Sequence, residues 1–243
     1  MTKIENKTLS QIVTENYQAA RVFEKYGLDF CCKGKRPLEE ACAEKGIKAE
    51  DVWTELRDVF QLSEVSKGGS DVNNMSLTEL AEYIVRVHHT YVKLNLPQIF
   101  NYVLRVATKH GDRFPFMKEV YLLFAEVREE MTQHMLKEEQ ILFPRIKLME
   151  LNAAQGKDVS WLQAPIDVME DEHDKAGSLL YRIRELTNNY TAPEGACTTF
   201  HLSLDALKGF EEDLHRHVHL ENNILFPKAV AFFNDKCNTI PVN

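Results

Sequence analysis

Two segments of the chain repeat the same spacing of histidine, glutamate and apolar residues. Residues 134–144 read HMLKEEQILFP and residues 217–227 read HVHLENNILFP. In each segment a glutamate follows a histidine by four positions, so both side chains lie on one face of a helix. Imidazole and carboxylate are ligand types for zinc, iron and manganese. The candidate metal ligands from this repeat are His134, Glu138, His217 and Glu221.

Four long helical patterns follow a polar, Gly- and Ser-containing stretch at residues 63–75. The first begins at Ser76, a predicted N-cap, with Glu79 completing a capping box. The loops HGDR, NAAQGKDVS and TAPEG separate the four patterns. No Val- and Ile-rich alternation indicates a strand. The sequence therefore predicts an all-α protein with an up-down-up-down four-helix bundle.

Each helical pattern carries a stripe of apolar residues at steps of three and four, which would face the bundle core. Histidine interrupts all four stripes. The predicted stripes are Leu77, Ala81, Ile84, His88 and Tyr91; Val120, Phe124, Val127, Met131, His134, Glu138 and Ile141; Ile166, Met169, His173, Ala176, Leu180 and Ile183; and Leu207, Phe210, Leu214, His217, Glu221 and Ile224. In the first helix His89 competes with His88, and the phase of Ile84 and Tyr91 favours His88.

Core glutamates are costly unless a positive group meets them. The stripes carry no Lys or Arg, and a pair of cations would satisfy all the polar core residues together. Six ligands are too many for one tetrahedral zinc. The pattern favours two non-haem iron ions bridged by oxo or hydroxo, with manganese second. The predicted ligands are His88, His134, Glu138, His173, His217 and Glu221; the alternative is a bundle with purely structural polar core groups.

Three acidic residues near these histidines could orient the imidazoles. Glu130 lies one turn before His134, Asp213 lies one turn before His217, and Glu172 is next to His173. Each could equally be an ordinary surface charge. His215 and His219, two residues on either side of His217 in the fourth helix, are predicted to face solvent.

Residues 1–62 contain short helical patterns and predict a small helical domain before the linker at 63–75, the bundle at 76–233 and a tail at 234–243. This small domain carries the adjacent Cys31 and Cys32. The nearby Lys33, Lys35 and Arg36 could lower a thiol pKa and make it reactive. An inert pair, with one thiol buried and one exposed, is the alternative.

Composition limits the function classes. The net charge is −8 with no block of Lys or Arg, which argues against nucleic acid as a partner. No apolar run has the length of a membrane span, and the first residues do not form a signal peptide. The five cysteines are irregularly spaced, as in reduced thiols. We therefore expect a cytoplasmic protein without a membrane partner.

The motifs VRVHHTY, HMLKEEQILFP, EDEHDKAG and HVHLENNILFP resemble the hemerythrin-like domain of the RIC proteins, bacterial di-iron proteins implicated in repair of iron–sulfur clusters. The stretch YGLDFCCKGKRPLEEAC resembles the short cysteine-bearing domain of that family, and together the matches cover nearly the whole chain. Members often follow the cysteine pair with Gly-Gly, whereas Lys33 and Gly34 follow it here.

The resemblance implies a di-iron centre held by four histidines and two bridging glutamates, the same six residues that the stripes select. It also implies a non-enzymatic role in restoring iron–sulfur proteins damaged by nitric oxide or oxidants, by supplying iron. With the family in view, we expect the cysteine pair to act in iron handling or redox sensing. Alternatives are a binder of oxygen or nitric oxide and a di-iron enzyme such as a nitric oxide reductase or peroxidase. A homodimer is left open.

Overall fold

A computed structural model describes residues 7–63, 72–151 and 162–237. Within these ranges the regular elements are helices, apart from one isolated bridge between Thr8 and Pro37. The all-α prediction is therefore confirmed. Most of the predicted linker at 63–75, most of the tail at 234–243 and the loop NAAQGKDVS lie outside the described residues. Among the described helices, none combines the length and apolar character that crossing a membrane requires.

The first described range forms a small group of four short helices. These are α1 (Leu9–Glu15), α2 (Ala19–Lys25), α3 (Leu38–Glu44) and α4 (Ala49–Ser63). Thr8 caps α1 through a capping box with Gln11. Two helices rather than one lie between Thr8 and Gly27, because Asn16 takes an extended backbone and its Oδ1 accepts a hydrogen bond from the Gln18 N–H.

Four long helical rods form the bundle, and three of them contain a π-helical segment. The rods are α5 (Leu77–Ile84), π1 (Val85–His89) and α6 (Thr90–His110); α7 (Phe116–Lys137), π2 (Glu138–Leu142) and α8 (Phe143–Leu151); α9 (Gln163–Leu186); and α10 (Thr198–Leu220), π3 (Glu221–Leu225) and α11 (Phe226–Cys237). Ser76 caps the first rod with Glu79 in a capping box, as predicted.

The π segments change which residues face the core. In π2 and π3 the N–H of Phe143 and of Phe226 bonds to the carbonyl five residues earlier, at Glu138 and Glu221. A proline follows each phenylalanine and supplies no N–H to the helix. The repeated Ile-Leu-Phe-Pro motif therefore accompanies a one-residue widening of the helix that starts at each glutamate.

The polar residues divide the bundle core into two apolar clusters. One cluster includes Leu77, Ile84, Phe143 and Leu225. The other includes Met131, Ala176 and Leu214, and it continues into the core of the small helical domain. In the second, third and fourth rods the interruption between the clusters is the histidine or glutamate that the stripes identified, and in the first rod it is His88 together with His89. Apolar packing on both sides thus holds a buried polar layer in place.

The small domain packs on the face of α10 that carries His215 and His219. The Phe30 ring lies 6.0 Å from the His215 ring and 5.7 Å from the His219 ring, centre to centre. His219 is fully buried, and its Nε2 lies 3.4 Å from Thr14 Oγ1. The prediction that these two histidines face solvent is wrong, because the small domain covers that face of the bundle.

Candidate metal centre

The π segments lie at the residues that could bind metal. His89 ends π1, Glu138 begins π2, and Glu221 begins π3. π-Helical turns are rare and occur often at functional sites because they aim a side chain that a regular turn would misplace. His173 comes from the uninterrupted α9, and all the converging side chains are at most 1% exposed.

One group of four residues joins the first, second and fourth rods. It contains His89, Glu138, His217 and Glu221, whose ligand atoms all lie within 4.8 Å of one another. His89 Nε2 lies 3.1 Å from His217 Nε2 and 3.3 Å from Glu138 Oε2. His217 Nε2 lies 2.9 Å from Glu221 Oε1. Two imidazoles and two carboxylates therefore converge at one point.

A second group of four joins the second, third and fourth rods. It contains His134, Glu138, His173 and Glu221, again with all ligand atoms within 4.8 Å of one another. His134 Nε2 lies 2.9 Å from His173 Nε2 and 3.2 Å from Glu138 Oε2. His173 Nε2 lies 3.1 Å from Glu221 Oε2. Glu138 and Glu221 thus belong to both groups, while each pair of histidines belongs to one.

The first rod departs from the prediction, because His89 and not His88 joins the converging residues. His88 is buried beside the site, where its Nδ1 lies 3.1 Å from Asp213 Oδ1 and its ring stacks on His217 at 5.7 Å. The extra residue in π1 shifts the phase of the rod, so that Val92 is buried and the predicted Tyr91 is only partly buried. The same shift in π2 buries Leu142 and leaves the predicted Ile141 46% exposed.

Three of the converging histidines have a hydrogen-bond partner on the far side of the ring. His89 Nδ1 lies 2.7 Å from Glu139 Oε1, and His134 Nδ1 lies 3.0 Å from Glu172 Oε2. These partners accept, so each Nδ1 carries a proton, and the ring offers a lone pair at Nε2 once that nitrogen gives up its own proton. His173 Nδ1 lies 2.8 Å from Asn222 Oδ1, with the same consequence. Partners of this kind fix the tautomer that metal binding requires.

The donor atoms fit metal ions better than they fit one another. The two Nε2 atoms of His134 and His173 face each other at 2.9 Å, a separation that requires a proton or a metal ion between their lone pairs. Both oxygens of Glu138 and one oxygen of Glu221 are buried without a hydrogen-bond donor. Metal–ligand bonds of about 2.1 Å place neighbouring ligand atoms about 3 Å apart. The shorter separations within the two groups, 2.9–3.3 Å, match that spacing, and His89 Nε2 lies 3.9 Å from Glu221 Oε1.

Charge in the metal-free site follows from the buried carboxylates. Burial and Glu221 raise the pKa of Glu138, but His134 and His89 outweigh them and lower it. Burial likewise raises the pKa of Glu221, and the facing imidazoles lower it well below its usual value. Burial lowers the pKa of His89 and His134, yet the carboxylates raise both to about 10. Protons thus occupy the metal-free site, and a metal ion competes with them.

Of the three acidic residues predicted to orient imidazoles, only one contacts a histidine of the two groups. Glu172 contacts the imidazole of His134, and both that contact and Lys137 lower its pKa to about 2. Asp213 contacts His88, which is outside the two groups. Glu130 instead forms a surface ion pair with Lys175 at 2.6 Å.

Sequence reasoning chose His88 over His89, and it missed Glu139 and Asn222. The signal for the last two lies in the repeat, because each directly follows a shared glutamate, at Glu138 and Glu221. Each then reaches a histidine from another rod.

The cysteine pair lies in the small domain and is not among the converging residues. Cys31 is buried and Cys32 is partly buried. The hydrogen bond to Cys32 and burial raise the pKa of Cys31 well above its usual value. The expectation that Lys33, Lys35 and Arg36 lower a thiol pKa is therefore wrong for Cys31.

Comparison with known proteins identifies both parts of the chain. Residues 78–229 match the hemerythrin HHE cation binding domain, and residues 5–59 match a domain of unknown function, DUF542. The chain is 35% identical over 226 residues to the iron-sulfur cluster repair protein YtfE of Escherichia coli K12 DH10B, which covers 93% of this chain and 97% of that protein. The same identity and coverage hold for YtfE of Shigella boydii serotype 4 and of E. coli O17:K52:H18. The chain therefore belongs to the family of iron–sulfur cluster repair proteins that join a DUF542 domain to a hemerythrin HHE cation binding domain.

Proposed function

We propose that this protein is a di-iron protein that repairs iron–sulfur clusters damaged by nitric oxide or oxidants, and that it does so by supplying iron. The observation that carries the proposal is the sharing of Glu138 and Glu221 between two groups of four ligand atoms. Two shared carboxylates with two imidazoles for each ion suit a pair of metal ions. The proposed ligands are His89, His134, Glu138, His173, His217 and Glu221.

The ligand types favour iron over zinc and magnesium. Every donor is an imidazole or a carboxylate, which suits iron and disfavours magnesium, since magnesium prefers all-oxygen surroundings. Structural zinc sites use four ligands for one ion and often include thiolates. The name of the relatives, iron-sulfur cluster repair protein, agrees with iron as the cargo. Iron can change between the ferrous and ferric states. Because carboxylates bind ferrous iron less strongly than ferric iron, reduction would favour release of the ion.

Two chains of contacts lead from the buried imidazoles to the surface. His89 contacts Glu139, which accepts hydrogen bonds from Lys93 at 2.6 and 2.8 Å. His134 contacts Glu172, which pairs with Lys137. Both lysines are about half exposed. These chains give the imidazoles a route for proton exchange with solvent, and protonation of an imidazole opposes metal binding.

We propose stoichiometric iron delivery to damaged iron–sulfur proteins rather than catalytic turnover. An anaerobic assay would use an iron–sulfur enzyme inactivated by nitric oxide, with a chelator present in every reaction. We expect the iron-loaded protein to restore activity, and the metal-free protein and Glu138→Gln to fail. Ferrous iron at the same concentration with the same chelator is the control.

Equal recovery with free ferrous iron under these conditions would contradict a delivery role. The same samples also test the alternative. Many rounds of nitric oxide consumption for each chain, in the presence of an electron donor, would instead identify a nitric oxide reductase.

A further inference from the structure

A turn in the small domain brings a carboxylate and two thiols together. Asp29 Oδ1 accepts hydrogen bonds from the backbone N–H of Cys31 at 3.1 Å and of Cys32 at 3.0 Å. The Cys31 Sγ lies 3.3 Å from the same Oδ1, and the two Sγ atoms are 3.8 Å apart. Adjacent residues in an extended chain point their side chains to opposite faces, so this turn is what makes the two thiols converge.

The separations match those of a tetrahedral metal site. Metal–thiolate bonds of about 2.3 Å place two sulfur ligands of a tetrahedron about 3.8 Å apart, and a carboxylate oxygen at about 2.1 Å lies about 3.6 Å from each sulfur. The observed values of 3.8 and 3.3 Å are close to both. The three ligand atoms together lie within 4.8 Å of one another.

We propose that Asp29, Cys31 and Cys32 form a further metal site, which binds one divalent cation of the ferrous or zinc type through two thiolates and a carboxylate. Tetrahedral sites with sulfur ligands select these ions. Three protein ligands leave a fourth position, as in sites that exchange ligands and unlike closed structural sites. The site shares no residue with the six proposed ligands in the bundle. Cation binding at this site is therefore expected whether or not the protein has the proposed repair function.

The surroundings suit a site that exchanges its ion. Asp29, Cys31 and Cys32 line a cavity of about 520 Å³ between the small domain and the bundle. The same cavity is lined by Lys33 and Arg36, whose charges offset part of the negative charge of two thiolates and a carboxylate. A small molecule, or a thiol of a partner, can therefore approach the fourth position from the cavity.

The turn is also connected to the bundle residues that we assign to iron. Asn223 Nδ2 donates a hydrogen bond to the carbonyl oxygen of Cys31 at 2.9 Å. Asn223 lies in π3, two residues after the shared Glu221. One hydrogen bond therefore joins the cysteine turn to the segment that presents Glu221, while the two sets of ligand residues share no member.

Cobalt(II) is the probe for this site. Metal-free, fully reduced full-length protein would be titrated with Co²⁺ while ultraviolet and visible absorption is recorded. We expect a thiolate-to-cobalt charge-transfer band that reaches its full intensity when one cobalt ion is bound at this site in each chain. The visible absorption of tetrahedral cobalt should appear with it. The bundle ligands include no sulfur, so they cannot produce the charge-transfer band.

Matched variants assign the band to its ligands. Cys32→Ser should weaken it, because one of the two thiolates is lost, and Cys31→Ser combined with Cys32→Ser should abolish it. Asp29→Asn keeps an oxygen that can accept the two backbone hydrogen bonds, removes the charge, and should weaken cobalt binding at least tenfold. Cys197→Ser, at a partly buried thiol that contacts His110, should leave the band unchanged. Iron content of the bundle in each variant verifies that the chain is folded.

The absence of the band in the wild type, its full intensity in Cys32→Ser, or its persistence when both cysteines are replaced by serine would overturn the proposal. The proposal would also be overturned if Asp29→Asn bound cobalt as tightly as the wild type. Glu138→Gln separates the two sites, because it should lose iron from the bundle and keep the charge-transfer band. A failed repair assay with an intact band would count against the repair function alone.

Discussion

His89 and His217 point their Nε2 atoms at each other across 3.1 Å, although they are 128 positions apart in the chain. The adjacent His88 is also buried, but its Nδ1 faces Asp213. Two neighbouring histidines of the same rod therefore have different surroundings, and only one of them reaches the shared glutamates.

This difference predicts opposite results for two neighbouring substitutions. We expect His89→Gln to lose about half of the bound iron or more, because it removes one of four ligands in a group whose glutamates also serve the other ion. His88→Gln should keep most of its iron. Iron would be measured by elemental analysis after anaerobic reconstitution. Equal losses in both variants, or a greater loss in His88→Gln, would refute the assignment of His89.

Glu172 and Glu130 form a second matched pair. Glu172 holds the Nδ1 proton of His134, so Glu172→Gln should weaken iron binding about 10- to 100-fold, as is usual for residues that orient a ligand. Glu130→Gln alters only a surface ion pair with Lys175 and should have little effect. Competition with a chelator of known affinity measures both. The prediction fails if the two variants bind iron equally well.

Much of the bundle could be predicted from the sequence because its stripes are regular. The third stripe, from Ile166 to Ile183, is buried throughout, as a continuous α-helix requires. His134, His173 and His217 could be assigned for the same reason, since each lies before any change of phase in its rod or in a rod without one.

The errors arise where a rod is not a regular α-helix. Steps of three and four assume 3.6 residues per turn, and a π segment adds one residue that these steps do not count. This is why His89 replaces His88 and Leu142 replaces Ile141. The burial of His219 could not be predicted either, because its partner Phe30 lies in a separate part of the sequence.

Iron binding should release protons. Burial lowers the pKa of His89 and His134, and the carboxylates raise both to about 10, so at pH 7 the metal-free site holds protons that iron must displace. Apparent iron affinity should therefore fall as pH falls from 8 to 6, by up to tenfold per pH unit for each proton displaced. Iron titrations across this range, with proton release recorded in weakly buffered solution, test the expectation. An affinity independent of pH would contradict it.

Glu24 should make stability depend on pH. Burial, followed by Glu212, raises its pKa from 4.5 to about 7, and its Oε1 is buried without a hydrogen-bond partner. A carboxyl group whose pKa is higher in the folded state than in the unfolded state stabilises the fold when it is protonated. This contribution is complete below about pH 4.5 and is lost as pH rises through about 7. Glu24→Gln should therefore match the wild type near pH 5 and exceed it by about 1–2 kcal/mol at pH 8, after allowance for solvent screening.

Urea unfolding at both pH values measures this difference, with the exposed Glu129→Gln as the control. A stability difference between Glu24→Gln and the wild type that does not change with pH would rule out Glu24 as its source.

Phe30 should anchor the small domain to the bundle. Its side chain is 1% exposed. Its ring packs against Phe23 within the small domain and against His219 on α10, with distances between ring centres of 6.1 and 5.7 Å. Phe30→Ala should lower the free energy of unfolding by about 3–5 kcal/mol, because a buried ring is lost and a cavity remains. Leu94→Ala, at a side chain that is 71% exposed, should change it by less than about 0.5 kcal/mol. Limited proteolysis of both variants should show faster cleavage within residues 7–63 in Phe30→Ala only, and similar cleavage in both would mean that the docking depends on other contacts.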